Sequence, residues 1–451
     1  MAKLSRRDFV LATTFSTAAL SLTTRSAVGQ MVGTPAPFSD YRALVCVFLF
    51  GGNDSFNMLV PRSDAEYNAY AASRTNLAIA KDQLLPISPL VRDGADYGLH
   101  PSMGELQALF ESGSVAFVTN VGPLLEPVTK EAYRAYTVAL PPQLYSHNDQ
   151  QDQWHALRGH SPSKSGWAGR IADLLRANVT DQQLALNVSL SGNSLFQSGD
   201  QTVSYVMGPA GPLAFQRFGA TGLARERRLA FERVLAATYD SIYARGFVDV
   251  QQRALQSADR VTAALATAPT LTTTFPTTPL GQQLATVARI IAARDRLEMH
   301  RQIFFVATGG FDSHDNQVTD QPLLLGNVSA ALAAFYRATK ELGVASSVTA
   351  FTQSDFGRTL TSNGDGTDHA WGGNQIVVGD AVRGRMLYGR YPSLQLNGPD
   401  DTGNGGRMIP TTSADQYAAT LAKWFGVPDA DLDLVAPHLQ KFTQRDLGFL
   451  L

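Results

Sequence analysis

Short, unbroken apolar runs alternate along the chain with longer segments of helical periodicity. Ala43-Leu44-Val45-Cys46-Val47-Phe48-Leu49-Phe50 contains no polar position and stops at Gly51-Gly52. A half-exposed strand alternates apolar and polar residues, so this run predicts a strand buried on both faces, as in the middle of a parallel sheet. Further strands are predicted at Ser114 to Thr119, Leu184 to Leu190, Gln302 to Thr308, Ser347 to Phe351 and Gln375 to Val378. Helical spacing marks Met103 to Glu111, Gly166 to Arg176, Gly281 to Met299, Val328 to Leu342 and Ala414 to Phe425. Ser413-Ala414-Asp415-Gln416 opens the last of these as a capping box, in which hydroxyl and amide satisfy free backbone N–H groups. Strands alternating with helices predict a three-layer α/β/α fold around a mostly parallel central sheet. Leu223 to Leu265 breaks the alternation and reads as helix, with the Thr/Pro-rich stretch Thr267 to Pro279 after it. We read residues 214–280, approximately, as a helical insertion that either caps a site or covers an edge of the sheet.

The N-terminal pattern is of another kind. Ser5-Arg6-Arg7-Asp8-Phe9-Val10 precedes an uncharged run, Leu11 to Leu22, and the small residues Ala27-Val28-Gly29 follow. This order predicts a twin-arginine signal peptide over residues 1–29, with 30–451 as a single α/β domain, and a periplasmic or secreted location. The run is shorter than the roughly 20 residues of a membrane span, and no later apolar stretch is long enough either. With 451 residues, 44% of them hydrophobic, the chain can bury a large core. Its 37 basic and 39 acidic side chains nearly balance, which argues against a nucleic-acid partner. The single Cys46, inside an apolar run, reads as a buried thiol and allows no intramolecular disulfide.

Ligands of open α/β sheets gather where strands end, so the polar residues after each strand carry the candidate chemistry. The first strand runs into Gly51-Gly52-Asn53-Asp54, the strand at Gln302 into Gly309-Gly310-Phe311-Asp312-Ser313-His314, and the strand at Ser347 into Ser354-Asp355-Phe356-Gly357-Arg358. Gly366-Thr367-Asp368-His369 precedes the strand at Gln375. A single Asp after a strand commonly caps the next helix. Together, Asp54, Asp312, His314, Asp355, Asp368 and His369 offer the oxygen and nitrogen donors that bind one or two divalent ions such as zinc, manganese, calcium or magnesium. Tyr145-Ser146-His147-Asn148-Asp149 has two readings. Ser146 is a nucleophile beside a metal, with His147 or Asp149 as ligand or base, or it is the N-cap of a helix with Asp149 at its third position. Arg358 either steadies an anionic group through paired donors or forms a salt bridge on a helix surface. No Gly-x-Ser-x-Gly elbow, phosphate loop or dinucleotide signature occurs, and Asp400 to Arg407 reads as a Gly-rich surface loop.

Gly51-Gly52-Asn53-Asp54, Ser146-His147 with Gln150 and Asp152, Gly310-Phe311-Asp312-Ser313-His314, Ser354 to Thr359 and Asp368-His369 occur in an order that resembles the bacterial DUF1501 family. That resemblance implies a likeness to the alkaline phosphatase and sulfatase superfamily, whose Asp and His residues at the sheet edge hold metals around a hydroxyl or modified-Cys nucleophile. It further implies that Asp54, the Asp312/His314 pair and the Asp368-His369 pair are metal ligands and that Ser146 is the nucleophile. Asp312 and His314 stand closer than the superfamily's Asp-x-x-x-His, Asp355 takes a place often held by Glu, and Ala370 replaces a Gly. No Cys-x-Pro-x-Arg is present, so formylglycine chemistry is not expected. The function expected is an exported, metal-dependent hydrolase of small-molecule or polymeric phosphate or sulfate esters. The alternative is a non-catalytic protein of the same fold that binds a cell-surface polymer or a partner protein.

Overall fold

In a computed structural model, residues 37–179, 184–212 and 217–451 are described. The predicted signal peptide lies outside the described residues, as do residues 213–216 at the start of the predicted insertion. A sheet of nine strands forms the centre. These are β1 (Arg42–Leu49), β2 (Val115–Gly122), β3 (Asn187–Ser189), β4 (Tyr205–Val206), β5 (Arg301–Thr308), β6 (Val348–Ser354), β7 (Gly373–Val378), β8 (Met386–Tyr388) and β9 (Thr412–Ser413). Their spatial order is β8-β2-β7-β6-β1-β5-β3-β4, with β9 against β2. β1 is parallel to β5 and to β6, and Leu49 is level with both Thr308 and Ser354. The three strands therefore release their following loops at one height on one edge.

β7 alone runs against its neighbours β6 and β2. Between β6 and β7 the chain forms an antiparallel hairpin of Arg358–Ser362 and Thr367–His369, too short for the crossover a parallel return needs. The sheet is accordingly mixed but mostly parallel.

Alternation along β1 divides the core in two. Ala43, Val45, Val47 and Leu49 pack with helices α2 (Gly104–Glu111), α7 (Pro279–Ala292) and α8 (Gln317–Glu341). Leu44, Cys46 and Phe48 pack on the other face with α3 (His147–Ala156), α4 (Trp167–Leu175) and α9 (Ala414–Phe425). Helices on both faces make the three layers and explain why β1 has no polar position from Ala43 onward. α1 (Asp64–Arg74) lies outside these layers and carries Arg74 to the site described below. Cys46 is buried, its thiol directed at the Gln353 side chain.

α8 starts eleven residues before the predicted Val328, with Pro322 inside it. An internal proline lacks the N–H for an i→i−4 hydrogen bond and so obscures helical patterning in the sequence. The extra turns matter because they bring Gln317 and Gln321 to the end of β1. The segment predicted as one helix from Leu223 is two, α5 (Gly222–Leu235) and α6 (Ile242–Ala266), followed by an irregular connection that Glu341 of α8 holds at Thr272 and Thr273. Among the described residues no helix is long and apolar enough to cross a membrane.

Candidate metal centre

The level ends of β1, β5 and β6 place Gly51, Asp312 and Asp355 in adjacent loops. Gly51 has φ +114°, and a Cβ there would lie 2.3 Å from the Asp312 backbone nitrogen, so only glycine lets these two loops touch. Gly366 plays the same part in the hairpin, where a Cβ would strike the His314 carbonyl carbon at 2.3 Å. The hairpin carries His369, and the first turn of α3 carries His147, to the same place.

Four side chains converge. Asp312 Oδ1 lies 3.2 Å from His314 Nε2 and 3.2 Å from His369 Nε2, and Asp312 Oδ2 lies 3.3 Å from His147 Nε2. The two Nε2 atoms of His314 and His369 are 2.9 Å apart. Ligand atoms of His147, Asp312 and His369 all lie within 4.8 Å of one another. Side-chain exposures of 28%, 46%, 43% and 23% for His147, Asp312, His314 and His369 leave the cluster open to solvent on one side.

The other ring nitrogen of each histidine has an oxygen partner. His147 Nδ1 faces the buried Asp355 Oδ2 at 2.6 Å, His369 Nδ1 the Tyr145 carbonyl at 2.8 Å, and His314 Nδ1 the Asp368 Oδ1 at 3.2 Å. Carbonyls and carboxylates only accept, so each Nδ1 donates its proton and each Nε2 presents a lone pair. Three bare nitrogens and a carboxylate then point at one space, and His147 Nε2 is buried with no hydrogen-bond partner. Such a set repels itself unless a cation lies within it. The separations of Asp312 from each histidine and of His314 from His369, 2.9–3.3 Å, are close to the edge of about 3.3 Å between neighbouring ligands of a tetrahedral zinc. Metal-bound histidines characteristically donate their second N–H to a carboxylate or carbonyl, as all three do here. His147, Asp312 and His369 can hold one divalent ion, and His314 Nε2 lies against two of the three.

Charge around the cluster supports that arrangement. Burial tends to raise the Asp312 pKa, but the hydrogen bond and charge of Arg358 outweigh it and hold the carboxyl below its usual range. Burial also keeps His369 below the ordinary histidine value, favouring the neutral ring that a metal requires. Burial pushes Asp355 up, against hydrogen bonds from Gln151, His147 and the Gly51 backbone.

The remaining residues singled out from the sequence fall into distinct places. Asp355 and Asp368 orient His147 and His314 from behind. Asp54 stands apart: Arg74 Nη2 and Gln317 Nε2 both donate to its Oδ2, in a fully buried ion pair. Arg358 is also fully buried, with Nε on Thr367 Oγ1, Nη2 on the Thr367 carbonyl, and Nη1 on Asp312 Oδ1 at 2.8 Å and the Gly51 carbonyl at 3.0 Å. It lies on the hairpin rather than on a helix, and each of its three guanidinium nitrogens is engaged. Ser146 is the N-cap residue of α3, but its hydroxyl donates to Asp149 Oδ2 at 2.7 Å instead of accepting from the helix backbone. Gln151, which donates to Asp355 Oδ2 at 2.9 Å, was not singled out, although its place one turn after His147 was visible. Tyr145, Arg74 and Arg407 were missed as well, and no local pattern distinguishes them.

The family described as "Protein of unknown function (DUF1501)" matches the chain over residues 41–404. No curated protein matches it in sequence. Among solved structures, the chain is similar to Ps i-CgsB in complex with k-i-k-neocarrahexaose, at 9% identity and a TM-score of 0.36 over 88% of this chain and 74% of that one. It is similar to the lipoteichoic acid synthase LtaP from Listeria monocytogenes, at 8% identity and a TM-score of 0.33 over 87% and 74%. It is also similar to the PsFucS1 sulfatase from Pseudoalteromonas sp., at 8% identity and a TM-score of 0.33 over 92% and 72%.

Proposed function

We propose that this chain, which belongs to the DUF1501 family, is an exported hydrolase of phosphate or sulfate esters that works with one divalent ion. His147, Asp312, His314 and His369 would hold the ion, and zinc suits three imidazoles and a carboxylate. The observation that carries this reading is the convergence of three Nε2 lone pairs on Asp312 while every Nδ1 is engaged. A bound divalent ion supplies positive charge that polarises an ester oxygen.

The chain's own residues supply the rest. Ser146 is one residue from His147, at the start of a ten-residue helix whose free N–H groups favour an anion. Its hydroxyl already donates to Asp149, which can take the proton as the Ser146 oxygen attacks phosphorus or sulfur and the ester's bond to its alcohol breaks; the alcohol leaves with a proton from solvent, and water then cleaves the seryl ester to free phosphate or sulfate and restore the hydroxyl. Asp355 and Arg358 act as positioning residues, the first through His147 and the second through Asp312. Export rests on Arg6-Arg7, the uncharged run to Leu22 and the small residues before Gln30.

The test is hydrolysis of p-nitrophenyl phosphate, bis-p-nitrophenyl phosphate and p-nitrophenyl sulfate by the zinc-loaded mature chain. Turnover of at least one ester is expected, with Ser146→Ala slower by roughly a hundredfold or more. Zinc binding without turnover of any ester would favour the alternative of a non-catalytic polymer-binding protein. A Ser146→Ala chain as fast as the parent would remove Ser146 from the mechanism. Replacing Arg6 and Arg7 by Lys is expected to leave the chain in the cytoplasmic fraction.

A further inference from the structure

We infer that Arg407 is the residue that recognises the tetrahedral oxyanion of the substrate at this centre. The inference rests on the proposed hydrolase reading and adds a binding group to it. Arg407 lies at the end of the Gly-rich loop, which is built into the site. The loop continues the hairpin, since the Leu360 and Thr361 N–H groups donate to the carbonyls of Gly406 and Gly405 at 3.2 and 3.1 Å. Buried Asp401 anchors it from below, accepting from the backbone N–H of Asn397 at 2.8 Å and of Gly403 at 2.9 Å.

Arg407 Nε donates to the His369 carbonyl at 2.9 Å. Its guanidinium carbon lies 4.3 Å from the centroid of the Tyr145 ring, and the Tyr145 carbonyl is the acceptor that orients His369. The guanidinium is thus fixed on two sides by groups that belong to the metal centre. Its Nη1 and Nη2 have no acceptor among the described residues, and no carboxylate pairs with it there. Neighbouring arginines differ: Arg358 is paired with Asp312, Arg74 with Asp54 and Arg390 with Asp400. Arg358, the residue the sequence suggested for an anion, is fully buried with every guanidinium nitrogen already engaged. A half-buried guanidinium held over an aromatic face, with Nη1 and Nη2 free, suits two oxygens of a phosphate or sulfate group.

Equilibrium dialysis of the zinc-loaded mature chain against radiolabelled inorganic phosphate and sulfate tests this, with zinc content measured in every sample. Arg407→Met is expected to weaken binding of the preferred anion by roughly tenfold to a hundredfold while zinc content stays at the parent value. Arg407→Lys, which keeps the charge but not the fork, is expected to fall between them. Unchanged anion affinity in Arg407→Met would overturn the inference. So would zinc loss in step with anion loss, since Arg407 would then serve only to hold the His369 carbonyl. A parent chain that binds neither anion overturns it too. A parent that binds no zinc refutes the hydrolase reading by itself, and the comparison of Arg407→Met with parent in phosphate then still decides the role of Arg407.

Discussion

Asp355 faces two opposing demands, and removing its charge separates them. Its Oδ2 takes the His147 Nδ1 proton at 2.6 Å and the Gln151 amide at 2.9 Å, with no exposure to solvent. In the metal-bound protein that charge fixes the ring and raises the basicity of Nε2. Loss of a carboxylate behind a metal-bound histidine typically costs 10- to 100-fold in affinity, or about 1.4–2.7 kcal/mol. Asp355→Ala is expected to weaken zinc binding by that amount, measured by competition with a chromophoric chelator. Asp355→Asn, which still accepts from Nδ1, should lose less. In the metal-free protein the sign reverses. Folding raises the Asp355 pKa because burial disfavours the ionised form, so above the ordinary carboxylate range the charge destabilises the fold, and stability recovers as pH falls through the folded pKa. Metal-free Asp355→Asn is therefore expected to melt at or above the parent temperature at pH 7. Zinc affinity of Asp355→Ala within twofold of parent, or a clearly lower melting temperature for metal-free Asp355→Asn, would refute the reasoning.

Other perturbations test the frame around the centre. Gly51→Ala meets both a φ of +114° and the Asp312 nitrogen at 2.3 Å, so it should cost about 1–3 kcal/mol from backbone strain alone and displace Asp312. Denaturant melts unchanged from parent would contradict this. Arg74→Met strands the buried Asp54 carboxylate and is expected to destabilise the fold by about 3–5 kcal/mol, with partial recovery in the Asp54→Asn, Arg74→Met double variant. Equal losses in the single and double variants would show that the pair is not coupled. Glu341 is held down to about 2 by hydrogen bonds from the Thr272 and Thr273 backbone and the Thr273 hydroxyl. A lowered pKa stabilises above the ordinary 4.5 and is lost as pH falls towards 2, so the connection after α6 should become more open to acid protease across that window. Glu341→Gln should abolish the pH dependence.

The layers of the fold were legible because burial on both faces removes polar positions from the middle of a strand, as from Ala43 to Leu49 in β1 and from Ile303 to Ala307 in β5. The direction of β7 was not, since an apolar run reads alike both ways and only the short hairpin before it forbids a parallel return. The start of α8 was hidden by Pro322, whose missing N–H reads as a helix break. At the candidate site, glycine and acid after each strand marked loops that come together, because parallel strands in register end at one height. Sequence could not tell which acids face the common space: Asp54 turns to Arg74, a partner supplied by α1, whereas Asp312 turns to the histidines. Nor could it find Arg407, whose loop follows no strand of the central sheet and reaches the centre only by joining the hairpin.

Anomalous diffraction at the zinc edge, on crystals of the mature chain purified without chelator, puts the metal reading at greatest risk. A single peak is expected about 2.0–2.2 Å from the Nε2 atoms of His147, His314 and His369 and from an Asp312 oxygen. No peak in zinc-soaked crystals, or a peak at Asp54 in place of this one, would contradict it.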